Sequence, residues 1–207
     1  LVPPMEFIPF AEQTGFVRQL TLWIFEAVVR LLAGERARAL RLRVSVNLST
    51  RDLLDPELSA RLESILSRHE VGASSLCLEI TESAIMDDPL RAEAMLNRLS
   101  QQGFKLSIDD FGTGYSSLAY LRRLPVQELK IDKSFVMGMQ AGEGDAQIVR
   151  STIDLAHNLG LSVVAEGVEN ADILERLRTL NCDEAQGYHI SRPMPAKDFL
   201  DWQEQQA

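Results

Sequence analysis

Strand-like and helix-like stretches alternate along the whole chain, and that alternation restricts the fold more than any other feature. Short apolar runs begin near residues 42, 75, 104, 126, 161 and 182. Between them lie segments whose apolar residues recur at helical spacing. Such alternation predicts a parallel sheet with helical crossovers. Six strands make either an open doubly wound sheet or most of a (β/α)8 barrel. No Gly-x-Gly-x-x-Gly follows the first strand, which weakens a dinucleotide-binding reading.

In chain order, residues 1–15 are Pro-rich and read as a loop into a short helix. A helix is predicted over 16–32, with Leu20, Trp23, Ile24, Ala27, Val28 and Leu31 as its apolar stripe and Gly34 as its stop. The first strand covers 42–48. Asp55 then caps a helix that starts at Pro56 and reaches His69. The second strand covers 75–80, and a helix opened by Asp88 and Pro89 runs to Gln102, where Gly103 stops it. The third strand covers 104–108, a short helix 116–123, and the fourth strand 126–131. A helix over 145–158 leads to the fifth strand at 161–165, and Asn170 caps the helix that follows to Leu180. The last strand covers 182–185 and the last helix 197–205. No linker or low-complexity tract interrupts the series, so residues 1–207 read as one domain.

The carboxyl ends of these strands carry the chemistry. They offer Asn47, then Glu79, then the adjacent pair Asp109 and Asp110, then Lys130, Glu166 and Gln186. In a (β/α)8 barrel such ends converge on one face, where active sites lie, and this decides for the barrel. Adjacent strand residues point to opposite sides, so Asp109 and Asp110 can share a site only where the strand ends and the chain turns through Gly112 and Gly114. Asn47, Glu79, Asp109 and Asp110 offer oxygen alone, and no His or Cys stands at a strand end. Hard cations such as Mg²⁺ or Mn²⁺ suit that set. Several carboxylates can hold two ions, the arrangement that clamps attacking and leaving oxygens in phosphoryl displacement. Lys130 suits orienting a water or neutralising phosphoryl oxygens, and Glu166 suits taking the water's proton.

Composition narrows the partners. A net charge of −9 excludes general nucleic-acid binding through a basic face. An anionic small substrate then needs metal ions or a few local bases to overcome the field. Cys77 and Cys182 read as reduced, buried strand residues, which suits the cytoplasm. No apolar run reaches membrane-spanning length, so no membrane contact is expected of this piece. The amino end lacks a signal-peptide pattern. The first Met is Met5, and the chain reads as a piece cut from a longer polypeptide.

Several segments together resemble the EAL domain family, the cyclic di-GMP phosphodiesterases of bacterial signalling. They are Pro4 to Glu12, Val46 to Ser49, Leu78 to Glu82, Ile108 to Ser117, Leu129 to Asp132, Val164 to Glu169, Gln186 to Tyr188 and Ser191 to Pro193. The resemblance implies a TIM-like (β/α)8 barrel and hydrolysis of one phosphodiester bond of cyclic di-GMP to linear pGpG. It implies metal ligation by Asn47, Glu79, Asp109 and Asp110, with Asp109 bridging two ions. It implies that Lys130 positions the attacking water and that Glu166 serves as base. Glu82 would steady the loop from Phe111 to Ser117, which the family couples to a homodimer interface. Gln186 would stand near the ions, and Tyr188, Arg192 and Pro193 would line the guanine side.

One departure stands out: the Glu-Ala-Leu tripeptide that names the family does not occur. The expectation is an EAL domain with about six of eight strands, lacking its first two. The parent chain, with its regulatory domains, would be the competent phosphodiesterase and this piece alone impaired. A cyclic di-GMP-binding or protein-interaction module without catalysis, or another Mg²⁺-dependent barrel enzyme, are the alternatives. Asp132 and Glu169 lie past strand ends and read as caps or surface charges. His69 and His157 read as structural or solvated, His189 as no ligand, and Trp23 as core or interface filler.

Overall fold

The computed structural model describes residues 2–114, 118–140 and 142–206. The matched segment's Tyr115 to Ser117, and with it the start of the short helix expected from Ser116, lie outside the described residues.

Three helices open the chain: α1 (Pro4–Thr14), α2 (Val17–Ala33) and α3 (Glu35–Ala39). Then come β1 (Val44–Leu48), α4 (Thr50–Leu53), α5 (Leu58–His69), β2 (Leu76–Thr81), α6 (Glu82–Asp87) and α7 (Pro89–Gln101). Next are β3 (Lys105–Phe111), α8 (Leu118–Leu121), β4 (Glu128–Ile131), α9 (Lys133–Gly138) and α10 (Glu143–Asn158). The chain closes with β5 (Ser162–Ala165), α11 (Ala171–Thr179), β6 (Glu184–Ala185) and α12 (Ala196–Gln206). The expected alternation is present throughout. The differences lie at element edges, in α1, which is helical over 11 residues where a loop into a short helix was expected, in α3, and in the short helices beyond a strand end, α4, α6 and α9.

Two compact units divide these elements. The first holds residues 2–80, 84–105 and 194–206. In it β1 and β2 pair in parallel, with Val44 beside Leu76 and Asn47 beside Glu79. The first five residues of β2 are all buried, as a strand covered on both faces requires. Phe25, Val29, Leu62, Leu96 and Leu99 of α2, α5 and α7 are fully buried in this unit. The Phe25 and Phe104 rings meet edge to face at 6.0 Å.

The α2 stripe differs from expectation. Val17, Thr21, Phe25, Val29 and Leu32 face the core, while Trp23 is 69% exposed and Ile24 stands at the surface. The helix is apolar nearly all round, so spacing alone does not choose its inner face. The helix expected from Pro56 starts at Leu58, because the Asp55 carboxylate accepts the Glu57 amide hydrogen and holds a turn ahead of it. Just beyond β1, Ser49 and Asp52 form a capping box on α4. The buried Asp52 carboxylate also accepts from Ser49 Oγ and Thr21 Oγ1. That knot fixes where Asn47 ends its strand.

The second unit holds residues 81–83 and the described residues from 106 to 193. Its strands pair in parallel in the order β3, β4, β5, β6. Leu129, Ile131, Val163 and Ala165 are fully buried, and Val149, Ile153 and Ala156 of α10 belong to the same core. The last strand is two residues long, so Cys182 precedes it and is only part-buried, contrary to the reading of a buried strand residue. Its thiol donates to the Glu184 carbonyl at 3.3 Å. Cys77, in β2, is buried as expected, and both cysteines are free thiols. No helix among the described residues is long and apolar enough to cross a membrane.

Candidate active site

The third strand does not stop before its carboxylates. It runs through Asp109 and Asp110 to Phe111. Ile108 pairs with Leu129 and Phe111 with Ile131, so two residues, Asp109 and Asp110, oppose the single Lys130. This is a β-bulge. Asp110 takes a left-handed backbone with φ of 53°, a conformation that Asp tolerates better than most residues. The bulge cancels the alternation that would have sent the two side chains apart. As a result, carboxylate oxygens of Asp109, Asp110 and Glu166 lie within 4.8 Å of one another.

The turn that follows is tied to this geometry. Thr113 donates to the Asp110 carbonyl through its amide at 3.3 Å and its hydroxyl at 2.8 Å. Glu82, 3% exposed, accepts the Gly112 amide hydrogen at 3.2 Å. A Cβ on Gly114 would stand 3.0 Å from the Glu82 carboxyl, so the loop lies directly on that acid. Glu82 therefore holds the backbone of the loop at Gly112.

Lys130 is 3% exposed, and its Nζ lies 2.6 Å from Glu166 and 3.2 Å from Asp109. β5 fixes its strand on one side: Lys130 pairs with Val164, and the Glu166 amide donates to the Ile131 carbonyl one step beyond that ladder. A buried ammonium is tolerated only with such partners.

Asp132 caps α9 as read, accepting from the amide of Ser134 at 2.9 Å and from its hydroxyl. It also neighbours the Asp110 carboxyl closely enough to raise it, a proximity that sequence reasoning missed. The signal was present: Lys130 and Asp132 are two residues apart, hence on one side of an extended strand. Burial, and after it the charges of Asp109 and Asp132, push the Asp110 carboxyl up to about 6. Burial works against Asp132 too, but the Ser134 hydroxyl and amide leave it below the usual carboxylate range. A raised carboxyl beside acids that share the single Lys130 ammonium is the electrostatic condition of a site short of positive charge. Oxygen donors at this spacing suit a hard divalent cation.

The other expected residues are placed as follows. Asn47 and Glu79 are neighbours in register within the first unit, Asn47 exposed and Glu79 buried. In the second unit the Gln186 amide donates to the Ala165 carbonyl at 2.8 Å and its carbonyl accepts from Val168, which moors it beside Glu166. A Cβ at Gly187 would come within 2.2 Å of the Val168 carbonyl oxygen, so only glycine permits that approach. Tyr188 and Arg192 are exposed and stack on each other, with the guanidinium carbon 5.0 Å from the ring centre. Pro193 is exposed nearby in sequence. His157 is structural, as read: its Nε2 lies 2.9 Å from Asp183, which also accepts the Val163 amide hydrogen.

Comparison with known proteins follows the same lines. The EAL domain profile matches residues 1–193. The bifunctional diguanylate cyclase/cyclic di-GMP phosphodiesterase MucR of Pseudomonas aeruginosa is 41% identical over 204 residues, covering 97% of this chain and 29% of that protein. The cyclic di-GMP phosphodiesterase NbdA of the same organism is 43% identical over 196 residues, covering 94% of this chain and 25% of that protein. The chain spans between a quarter and about a third of the curated relatives it matches. The solved structure of the PaMucR phosphodiesterase in complex with c-di-GMP superposes with a TM-score of 0.90 at 39% identity, covering 96% of this chain and 81% of that one. The fold class is accordingly an α/β TIM-like barrel, represented here by six parallel strands. With a profile match over residues 1–193 and these relatives, the chain belongs to the EAL domain family.

Proposed function

We propose that this chain belongs to the catalytic domain of a cyclic di-GMP phosphodiesterase, which opens one phosphodiester bond to give linear pGpG. The observation that carries the reading is the buried Lys130 held between Asp109 and Glu166, opposite the bulge that brings Asp110 alongside. The printed names of MucR and NbdA support the substrate.

Asp109 and Asp110, together with Asn47 and Glu79, would hold Mg²⁺ or Mn²⁺, two ions in all. Bound there, such cations supply Lewis acidity, neutralising phosphoryl oxygens and acidifying water. Glu166 accepts the proton of the attacking water, and its contact with Lys130 keeps its carboxylate aimed. The Lys130 ammonium orients that water and offsets charge that grows on the phosphoryl group. Glu82 holds the Gly112 amide and so the backbone of the Asp110 turn. Gln186 steadies the mouth beside Glu166, while the Tyr188 and Arg192 stack, with Pro193, offers a flat face to a guanine. The protein acts in the cytoplasm as a homodimer under regulatory domains of its parent chain; the much greater length of the relatives supports the last point.

The test is chromatographic detection of pGpG formed from cyclic di-GMP by the protein that carries this chain, with Mg²⁺ or Mn²⁺. Lys130→Met and Glu166→Gln should each lower turnover by about a hundredfold or more. Tight cyclic di-GMP binding with no pGpG would refute catalysis and leave a binding module.

A further inference from the structure

Four cationic side chains, Arg38, Arg41, Arg43 and Lys105, line one cavity of about 450 Å³ in the first unit, with Ser74 and Ser75 beside them. Arg43 precedes β1, Ser75 precedes β2 and Lys105 opens β3. The cavity therefore lies at the amino ends of strands whose other ends carry Asn47 and Glu79. No carboxylate lines it, although acidic residues outnumber basic ones by 30 to 21 in the chain. Among the described residues Arg38, Arg41 and Lys105 enter no ion pair, whereas nearby in sequence Arg36 binds both Asp201 and Glu204.

The backbone adds an independent observation. The Leu42 amide donates to the Ala37 carbonyl and the Arg41 amide to the Arg38 carbonyl, which is the Schellman closure of α3. Its left-handed position normally belongs to glycine, yet Arg41 occupies it with φ of 50°. The fold thus keeps a charged side chain at a backbone position that disfavours one, with Arg38 and Lys105 on the same cavity and likewise outside any ion pair among the described residues. Like charges so gathered repel each other until an anion joins them.

We infer that this cavity binds a multiply charged phosphate anion. Its volume is in the range of small-ligand pockets. Guanidinium groups match phosphate oxygens with paired donors, and the two serine hydroxyls add neutral donors. The field of a chain with net charge −9 opposes loose anion condensation, so binding here is local and saturable. The phosphate can come from a free polyphosphate or from the head groups of an anionic bilayer.

Calorimetric titration of the full chain with tripolyphosphate at about 0.15 M salt, beside sedimentation with vesicles containing phosphatidic acid, whose head group is a phosphomonoester, separates the two sources. Saturable tripolyphosphate binding identifies a free anion, and vesicle binding without it identifies lipid; either supports the inference. Arg38→Ala and Lys105→Gln should each weaken the interaction about tenfold or more. Arg41→Gly should weaken it similarly while raising the unfolding midpoint of the ligand-free protein, because glycine relaxes the turn. No binding to either probe, or equal binding by wild type and all three variants, would overturn it.

Discussion

Replacing Lys130 by Met removes a buried charge while nearly preserving volume, and the structure sets what that should cost. Nζ lies 2.6 Å from one carboxylate and 3.2 Å from the other. At an effective dielectric of about 20, these separations correspond to attractions of about 6 and about 5 kcal/mol. Much of that is offset, since the ammonium no longer has to be stripped of water. Breaking a buried pair by removing one partner typically leaves a net loss of about 3–5 kcal/mol. The lower end applies here, because the Asp109 and Glu166 side chains keep 13% and 19% of their exposure. With a urea slope of about 1–3 kcal/mol per molar, the unfolding midpoint should fall by about 1–3 M at pH 7. The measurement belongs in chelating buffer, so that no cation replaces the lost ammonium. A midpoint shift of under about 0.3 M at pH 7 would show that Lys130 does not hold this pair.

Asp110→Asn should stabilise the metal-free protein at pH 7 while abolishing cation binding. The Asp110 carboxyl stands at about 6 against an ordinary 3.8, so its favourable contribution is complete below the ordinary value and lost as the pH rises through about 6. The gain should therefore vanish below pH 4, which thermal melts across that range would register. Gly187→Ala forces a Cβ to within 2.2 Å of the Val168 carbonyl oxygen and should cost about 2 kcal/mol or more in denaturant midpoint. Gly144→Ala, in the first turn of α10 with open space around it, should instead gain up to about 1 kcal/mol. The Cys182 thiol, pushed up to about 11 chiefly by burial, should alkylate slowly at pH 8 in the folded protein and rapidly in urea. Equal labelling rates in the two states would contradict the structure.

The alternation of strand and helix was legible because apolar runs such as 161–165 and caps such as Asn170 act locally. The short helices α4, α6 and α9 were not, since four to six residues cannot display a 3.6-residue period. The inner face of α2 was misread for a different reason. Trp23 and Ile24 are as apolar as Phe25 and Val29, and only the partner surface decides which of them is covered. Cys182 looked like a strand residue because its neighbours do; the ladder with β5 is what limits the strand to two residues.

The site shows the same limit more sharply. The residue types at the strand ends could be listed from sequence, and so could the need for cations among them. A common site for Asp109 and Asp110 was legible too, by way of a strand ending ahead of them; the way a strand that runs through both keeps them together was not, because period-two alternation sends neighbours to opposite sides. One extra residue in β3 opposite Lys130, with Asp110 left-handed, reverses that outcome. Such a backbone costs about 1–2 kcal/mol for a residue with a Cβ, and the adjacent acids add repulsion that raises the Asp110 carboxyl. Neither cost is returned by packing, since Asp110 and Glu166 remain only part-buried. A bulge, a strained aspartate and a buried lysine together lower stability in the absence of a cation. They are accounted for when the same carboxylates gain one, which is why Asp110→Asn should raise stability and lower cation affinity in a single substitution.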